Sequence, residues 1–398
     1  MVDPPSSDAA RLRAVKRHVW GTRHRFVATC AIGLEDLLEA EVAALPTASD
    51  VARGTGGVRF EGPLDAAMAA LVRLRVAESL RVELLGEAAA ATYPMLHDHL
   101  TRVRWALWLP PRCAVAVRVR STKSRVRDDA GIERSARQAW RAQGVADDVA
   151  DGPMLTVHVR LHRDRVTVAL DLGGALHRRT GGKWVTATTV RETTAAALAR
   201  LADVAAHDLV LDPFCGSGTL VTEARALALG TPARTGGVPF ESSPAWPAGR
   251  FAHALRMARA AASDDHTTTT RWHARDADPE AVAVARRNLE AIGAGEVDLA
   301  AERAQHLDLA ALVARSGAQR PLLLANPPYG KGSDAVGADP DALVADLLGR
   351  AGGWSFALLY PRPDAVAALP RVRVHHVREV VTGGLRNAMV VGSVEAAA

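Results

Sequence analysis

From about residue 185 the chain repeats one pattern, a short apolar segment, a loop and an amphipathic stretch, and that alternation leaves few folds open. Residues 209–212 (LVLD) read as a buried strand; a glycine turn follows, then a helix running to Leu229 and stopped by Gly230. Residues 271–276 form the next strand. Asp278 is placed to cap the helix after it, with Pro279 in its first turn and Gly293 as its stop. Val282, Ala285, Leu289 and Ile292 give that helix one apolar stripe. Residues 322–325 and 356–360 predict two more strands, and 372–380 with 389–394 a closing hairpin around Gly383 and Gly384. The expected fold class is therefore α/β, a Rossmann-like doubly wound sheet with its ligand beyond the carboxyl ends of the strands.

The first half of the chain follows another rule. Residues 25–30 (RFVATC) predict a strand, and Leu34, Leu38, Val42 and Leu45 share a helix face. A strand over 58–60 after the Thr55-Gly56-Gly57 turn, a helix over 64–74 and a strand over 80–85 complete a small α+β unit. From about residue 95, three segments (114–121, 155–162 and 166–171) alternate apolar and polar residues around a helix over 132–143. In the first of them Val115, Val117 and Val119 face one way and Arg118 and Arg120 the other; Lys123, Arg125 and Arg127 extend the basic run, free of acids until Asp128. A solvated strand edge explains such a run, but its density favours a surface that contacts phosphates. Residues 1–24, with Pro4, Pro5, Ser6 and Ser7 and no periodic face, read as a flexible basic tail.

Length and charge bound the partners. A chain of 398 residues suggests two or three domains, and a net charge of +5 points mildly to a polyanion. Cys30, Cys113 and Cys215 lie far apart with no C-x-x-C pair, so neither a zinc site nor a disulfide framework is expected, and no metal. No apolar run approaches the roughly 20 residues needed to cross a bilayer, and the start of the chain lacks the apolar core of a signal peptide. A cytoplasmic protein without a membrane partner is the expectation.

Three motifs carry chemistry. In Asp212-Pro213-Phe214-Cys215-Gly216-Ser217-Gly218-Thr219 a strand runs into a glycine turn where a ligand can approach the backbone, and Asp212 can accept from an ammonium group. The third glycine of a dinucleotide turn is missing, since Val221 stands there, and the acid precedes the turn instead of following it. Asp276, with Ala277 beside it, ends the next strand where a ribose diol would be held; Asp278 is committed to capping. The buried strand over 322–325 leads to Asn326-Pro327-Pro328-Tyr329. Two prolines stiffen that turn and remove two amide donors. The Asn326 side-chain oxygen and the Pro327 carbonyl can then accept both N–H bonds of a planar aromatic amine, with Tyr329 stacking on its ring. In isolation each motif has a bland reading as a tight turn; in this order they select methyl transfer to an amino group.

These residues resemble the class I S-adenosylmethionine-dependent methyltransferases of the amino-group type. Residues 25–38, 55–62 and 171–179, with 191–196 just ahead of the glycine loop, are similar to segments of the THUMP-containing RNA methyltransferases, which methylate guanine N2 in tRNA or large-subunit rRNA. The resemblance implies S-adenosylmethionine as cofactor and a structured RNA as partner. It implies cofactor contacts at Asp212, Pro213, Phe214, Gly216, Ser217, Gly218, Thr219, Asp276, Ala277 and Glu192, catalysis at Asn326, Pro327, Pro328 and Tyr329, and RNA contacts at Arg118, Arg120, Lys123, Arg125 and Arg127. It divides the chain into a ferredoxin-like domain over 25–94, a THUMP-like domain over 95–182 and a methyltransferase domain over 183–398. Two departures stand out: Arg303 occupies the slot of the family's acid that holds the adenine amine, leaving Glu302 or Gln305 to substitute, and 331–334 differ from the usual continuation. The glycine-rich stretch 231–249 reads as an insertion, either a substrate loop or a disordered excursion. A DNA adenine-N6 methyltransferase, a glutamine side-chain methyltransferase and a non-catalytic RNA-binding assembly factor are the competing readings.

Overall fold

The computed structural model describes residues 7–147, 154–179, 184, 189–262, 269–329, 339–382 and 385–396. They fall into two compact units. The first comprises residues 1–30, 38–176 and 234–257, the second 31–37, 177–233 and 258–398. The sequence calls on Gly330, on 331–334 and on Gly383 and Gly384 lie outside the described residues.

The first unit is built on one seven-stranded sheet: β1 (Arg23–Thr29), β2 (Ser49–Gly54), β3 (Gly57–Pro63), β4 (Ser79–Ala89), β5 (Ala114–Thr122), β6 (Met154–His162) and β7 (Arg165–Asp171). Their order is β2-β3-β1-β4-β7-β6-β5, antiparallel throughout except for the parallel pair β5–β6. The expected boundary near residue 95 thus falls within a single hydrogen-bonded sheet, because β4 pairs with β7. Inward residues behave as the alternation requires: Val157, Val159 and Leu161 are fully buried. Phe26 stacks near Phe60, with ring centroids 5.2 Å apart, and Trp105 meets Trp140 edge-on at 5.4 Å.

Two expectations change here. Residues 8–20 are no flexible tail. Asp8–Val15 is a helix whose first turn is capped by the Ser7 hydroxyl, continued by a π turn over Lys16–Trp20. Val15 and Val19, four residues apart, form a narrow apolar stripe and are fully buried; basic neighbours hide it in the sequence. The 231–249 insertion is ordered too, and residues 234–257 belong to the first unit. Phe240 is fully buried and stacks on Trp108 at 6.2 Å, while Trp246 packs on Phe240 and Phe251. The Ser243 hydroxyl donates to the Trp108 carbonyl (2.6 Å), the Trp20 indole N–H donates to the Ala245 carbonyl (2.8 Å), and Arg250 pairs with Asp65 (3.0 Å).

The second unit carries the other sheet: β8 (Leu209–Asp212), β9 (Arg271–Asp276), β10 (Asp298–Ala301), β11 (Pro321–Ala325), β12 (Ser355–Tyr360), β13 (Val372–Thr382) and β14 (Leu385–Val394). The order is β10-β9-β8-β11-β12-β14-β13, parallel from β10 to β12, with β14 inserted antiparallel between β12 and β13. Strands β8 and β11 are buried along their whole length, which is why they read as unbroken apolar runs. The helix after β9, Pro279–Ala291, is capped by Asp278 as expected, and Gly293 takes a positive φ past its end. Residues 31–37 join this unit: Asp36 forms a two-point ion pair with Arg378 of β13, whose guanidinium also donates to the Gly33 carbonyl (3.0 Å). Strand order reverses between β8 and β11, so their carboxyl ends diverge into a crevice. Among the described residues no helix is long and apolar enough to cross a membrane.

Removing residues 1–20 should destabilise the first unit by about 3–6 kcal/mol, the worth of two buried valines. Urea unfolding followed by circular dichroism checks this, and an unchanged midpoint would show that the helix contributes nothing.

Candidate active site at the strand ends

The site begins at Asp212, the last residue of β8, which is 1% exposed. Its Oδ1 accepts the Phe214 N–H (3.1 Å); Oδ2 is buried with no hydrogen-bond partner. Burial pushes its carboxyl well above the usual range, and the nearby Asp276 adds to this, against the opposing Phe214 bond. An unpartnered carboxyl oxygen beside a glycine turn is an acceptor that a ligand ammonium could fill. Gly216 and Gly218 both take positive φ, 51° and 80°, which lets the turn double back tightly. At Gly218 a Cβ would sit in ordinary contact with Ala285 of the helix Pro279–Ala291 at 3.4 Å, so the positive φ is what calls for glycine there.

Asp276 ends β9 and ties this turn to the second strand. Its Oδ2 accepts the Gly216 N–H (2.8 Å) and its Oδ1 the Asp278 N–H (3.0 Å), while Cys215 N–H donates to the Arg275 carbonyl (2.8 Å). Each carboxylate oxygen keeps a further lone pair, and the side chain is only partly buried, so a diol can still be received. Pro213, Ser217 and Thr219 are buried within the turn and Phe214 partly so, whereas Ala277 is exposed beside Asp276. Glu192 is buried at the head of the helix Glu192–Leu201 and accepts the Arg179 N–H (2.5 Å), which gives it a structural task.

Arg303 is exposed at the start of the short turn Ala304–His306, and Glu302 lies 3.3 Å from Arg275, which also bonds Asp298 (2.7 Å). Glu302 is the counter-charge of Arg275. Sequence reasoning missed that pair, and it missed Asn288, whose buried amide donates to the Ser217 carbonyl (2.9 Å) and anchors the turn.

Asn326 follows β11, the strand beside β8 at the reversal. Its Oδ1 is buried and has no hydrogen-bond partner. Tyr329 is half-buried and meets Tyr360, the last residue of β12, edge-on with ring centroids 6.3 Å apart. Burial raises the Tyr329 phenol above its ordinary range, with an opposing hydrogen bond from the Asn387 side chain. The structure therefore brings Asp212, Asp276 and Asn326 to the carboxyl ends of three consecutive strands of one sheet. The basic residues belong to the first unit: Arg118, Arg120, Lys123, Arg125 and Arg127 are all exposed along and just after the edge strand β5. Arg125 pairs with Asp164 at 3.5 Å, and Arg120 lies opposite Arg160 of β6.

Residues 183–352 match the RMKL-like methyltransferase domain, and residues 25–81 match the RlmL ferredoxin-like domain. The chain thus carries an RMKL-like methyltransferase domain over residues 183–352. Its cofactor is S-adenosylmethionine. Solved structures share the fold. SMU.472, crystallised with SAH, aligns over 94% of this chain and 99% of its own at 23% identity and TM-score 0.77. A Listeria monocytogenes protein described as an N6-adenine-specific DNA methylase aligns over 93% and 96% at 23% identity and TM-score 0.77. TrmN from Thermus thermophilus aligns over 93% and 99% at 24% identity and TM-score 0.67.

We propose that Asp212 receives the cofactor's ammonium, which makes affinity pH-dependent. An ammonium beside the carboxyl favours its ionised form, so binding must pull the raised pKa down. Affinity should therefore rise with pH through that pKa and fall as pH drops through it. In the same window the cofactor-free fold loses stability as pH rises from about 3.9, the unfolded carboxyl value, to the raised folded one. Asp212→Asn should flatten both profiles, raise the melting temperature of the cofactor-free protein and weaken binding at neutral pH. Calorimetric titration with S-adenosylhomocysteine and thermal melts across pH check this; a variant that keeps the wild-type slopes would sink the assignment.

Proposed function

We propose that this methyltransferase acts on the exocyclic N2 amine of guanine in a structured tRNA or large-subunit rRNA. The observation that carries the amine target is the buried, unpartnered Asn326 Oδ1, an acceptor followed directly by two prolines that carry carbonyls and no N–H. A ring-conjugated amine offers two donors and a weak lone pair. Held by Asn326 Oδ1 and the Pro327 carbonyl, its lone pair points out of the base plane. S-adenosylmethionine supplies the electrophilic methyl. Asp212 receives its ammonium, Asp276 its ribose, and the backbone of 213–219 passes beside it, with Ala277 and Glu192 at the margins of that site. The new N–C bond forms as the C–S bond breaks, the electron pair leaves on sulfur, and the surplus proton goes to water. Positioning and fixed dipoles carry this reaction, with no strong base.

The RNA side of the reading rests on the RlmL-type ferredoxin-like segment and on the basic edge of the first unit. Arg120 and Arg160 face one side of adjacent strands, a like-charge pair that a phosphate between them would relieve. A target guanine must leave its stack, at a cost of a few kcal/mol that such contacts offset. The description of the Listeria protein favours a second reading, adenine N6 in DNA, which uses the same amine chemistry.

The test incubates the protein with tritiated S-adenosylmethionine and total RNA from cells lacking the gene, or with DNA, and identifies labelled nucleosides by mass spectrometry. N2-methylguanosine in RNA is the expected product. Asn326→Ala should lower kcat by roughly 10²–10³-fold, as loss of one preorganised polar group does elsewhere, while cofactor affinity stays unchanged. Label confined to DNA adenine would replace this reading with the second.

A further inference from the structure

Strand β14 carries one residue that its apolar pattern does not account for. Ala388, Met389 and Val390 are buried, as an inner strand requires, yet Asn387 at the head of that run is buried as well, only 6% exposed. A carboxamide is disfavoured in a strand and is rarely buried without a hydrogen bond to hold it. The register puts Asn387 at the end of the sheet where the chemistry lies. Strand β12 ends at Tyr360, which pairs with Ala388. Asn387 therefore stands one residue beyond it, at the same carboxyl end of the parallel strands from which Asn326 continues.

One partner of the Asn387 side chain is the phenol of Tyr329. Burial raises that phenol and the bond opposes the rise, so the bond favours the ionised form: the Asn387 amide N–H donates and the Tyr329 oxygen accepts. The ring of Tyr329 is thereby constrained from three directions. Pro327 and Pro328 stiffen the backbone leading into it. The Tyr360 ring meets it edge-on, with 81° between the planes and 6.3 Å between centroids. Asn387 holds its far end. The Tyr360 wall is itself fixed, since it is fully buried and its hydroxyl donates to Asp341 (2.5 Å) and accepts from Arg362 (3.2 Å). A tyrosine side chain turns about two torsions; packing at one edge leaves the ring a tilt that a bond at its far end removes. Tyr329 is only half-buried, so part of its ring stays open to a ligand.

We infer that Asn387 is a positioning residue for methyl transfer, holding the Tyr329 ring at the tilt at which the target base stacks on it. The inference rests on the reading that a base amine is held at Asn326 while its ring stacks on Tyr329. Transfer requires the amine lone pair to lie in line with the breaking C–S bond, and that lone pair projects from the plane of the base. A tyrosine free to tilt would let the base tilt with it, and the in-line approach would be reached less often. With the ring fixed in the folded protein, its ordering cost does not fall on substrate binding. Asn387 acts through the phenol oxygen, not on the base.

A double-mutant cycle on the nucleic acid identified by the labelling assay tests this. Tyr329→Phe keeps the ring and removes the oxygen, whereas Asn387→Ala removes the donor. Each should lower kcat by roughly 3–30-fold, between the worth of one hydrogen bond and the cost of a misplaced substrate. KM should move less than kcat, and S-adenosylhomocysteine affinity should not move. The double variant should be no slower than the slower single one, because both substitutions remove the same bond. Losses that add, or an Asn387→Ala enzyme as fast as wild type while Tyr329→Ala is impaired, overturn this inference alone. Should Asn387→Ala fail to fold, Tyr329→Phe decides, and a wild-type kcat in that variant overturns it. Wild-type kcat/KM in Tyr329→Ala, or no labelled nucleoside from any nucleic acid, overturns the stacking reading and this inference with it.

Discussion

The second unit depends on one costly placement, the carboxylate of Asp212 buried at the carboxyl end of β8 with an oxygen left unpaired. An isolated buried charge is expensive, and burial raises that carboxyl well above its ordinary range. The expense is tolerated because the same burial strengthens the attraction for a ligand ammonium. Much of the surrounding structure holds that arrangement fixed. Asp276 accepts the Gly216 N–H, the Asn288 amide donates to the Ser217 carbonyl, and Arg275 is clamped between Asp298 and Glu302 so that its own carbonyl meets the Cys215 N–H. A turn secured at three successive residues cannot relax to satisfy Asp212 from within. The missing partner must come from the ligand.

The frame of the candidate site was legible in the sequence wherever its signals are local. Strand, glycine turn and helix follow one another within about twenty residues at 209–229, so the apolar run, the punctuation and the caps identify that unit without knowledge of the fold. The same holds for Asp276 at the end of β9 and for Asn326–Tyr329 after β11. The parallel arrangement follows from the alternation, since β-loop-α-loop-β units must cross over in one hand.

What escaped depends on partners distant in the chain. Nothing near β4 says that its free edge pairs with β7, some eighty residues on, and joins two expected domains in one sheet. The insertion 231–249 could be read only as a substrate loop or a disordered excursion because the anchors of its segment, Trp20, Asp65 and Trp108, lie 225, 185 and 135 positions away. Residues 8–20 were read as a tail because a two-residue apolar stripe among arginines carries almost no periodic signal, although burial of Val15 and Val19 is complete. Glu302 was a candidate to replace the missing acid at Arg303 because nothing nearby in sequence claims it; Arg275, 27 residues earlier, pairs with it.

The ends of β8 and β12 are built on opposite principles. At the end of β8 a buried carboxyl oxygen is left without a partner. At the end of β12 the polar groups satisfy one another, with Asp341 accepting from both Tyr360 and Arg362. A satisfied network costs little in the absence of a ligand, whereas an unpartnered acceptor is stabilised by one. Tyr329 packs edge-on against Tyr360 and bonds Asn387, which ties the turn after β11 to the satisfied side.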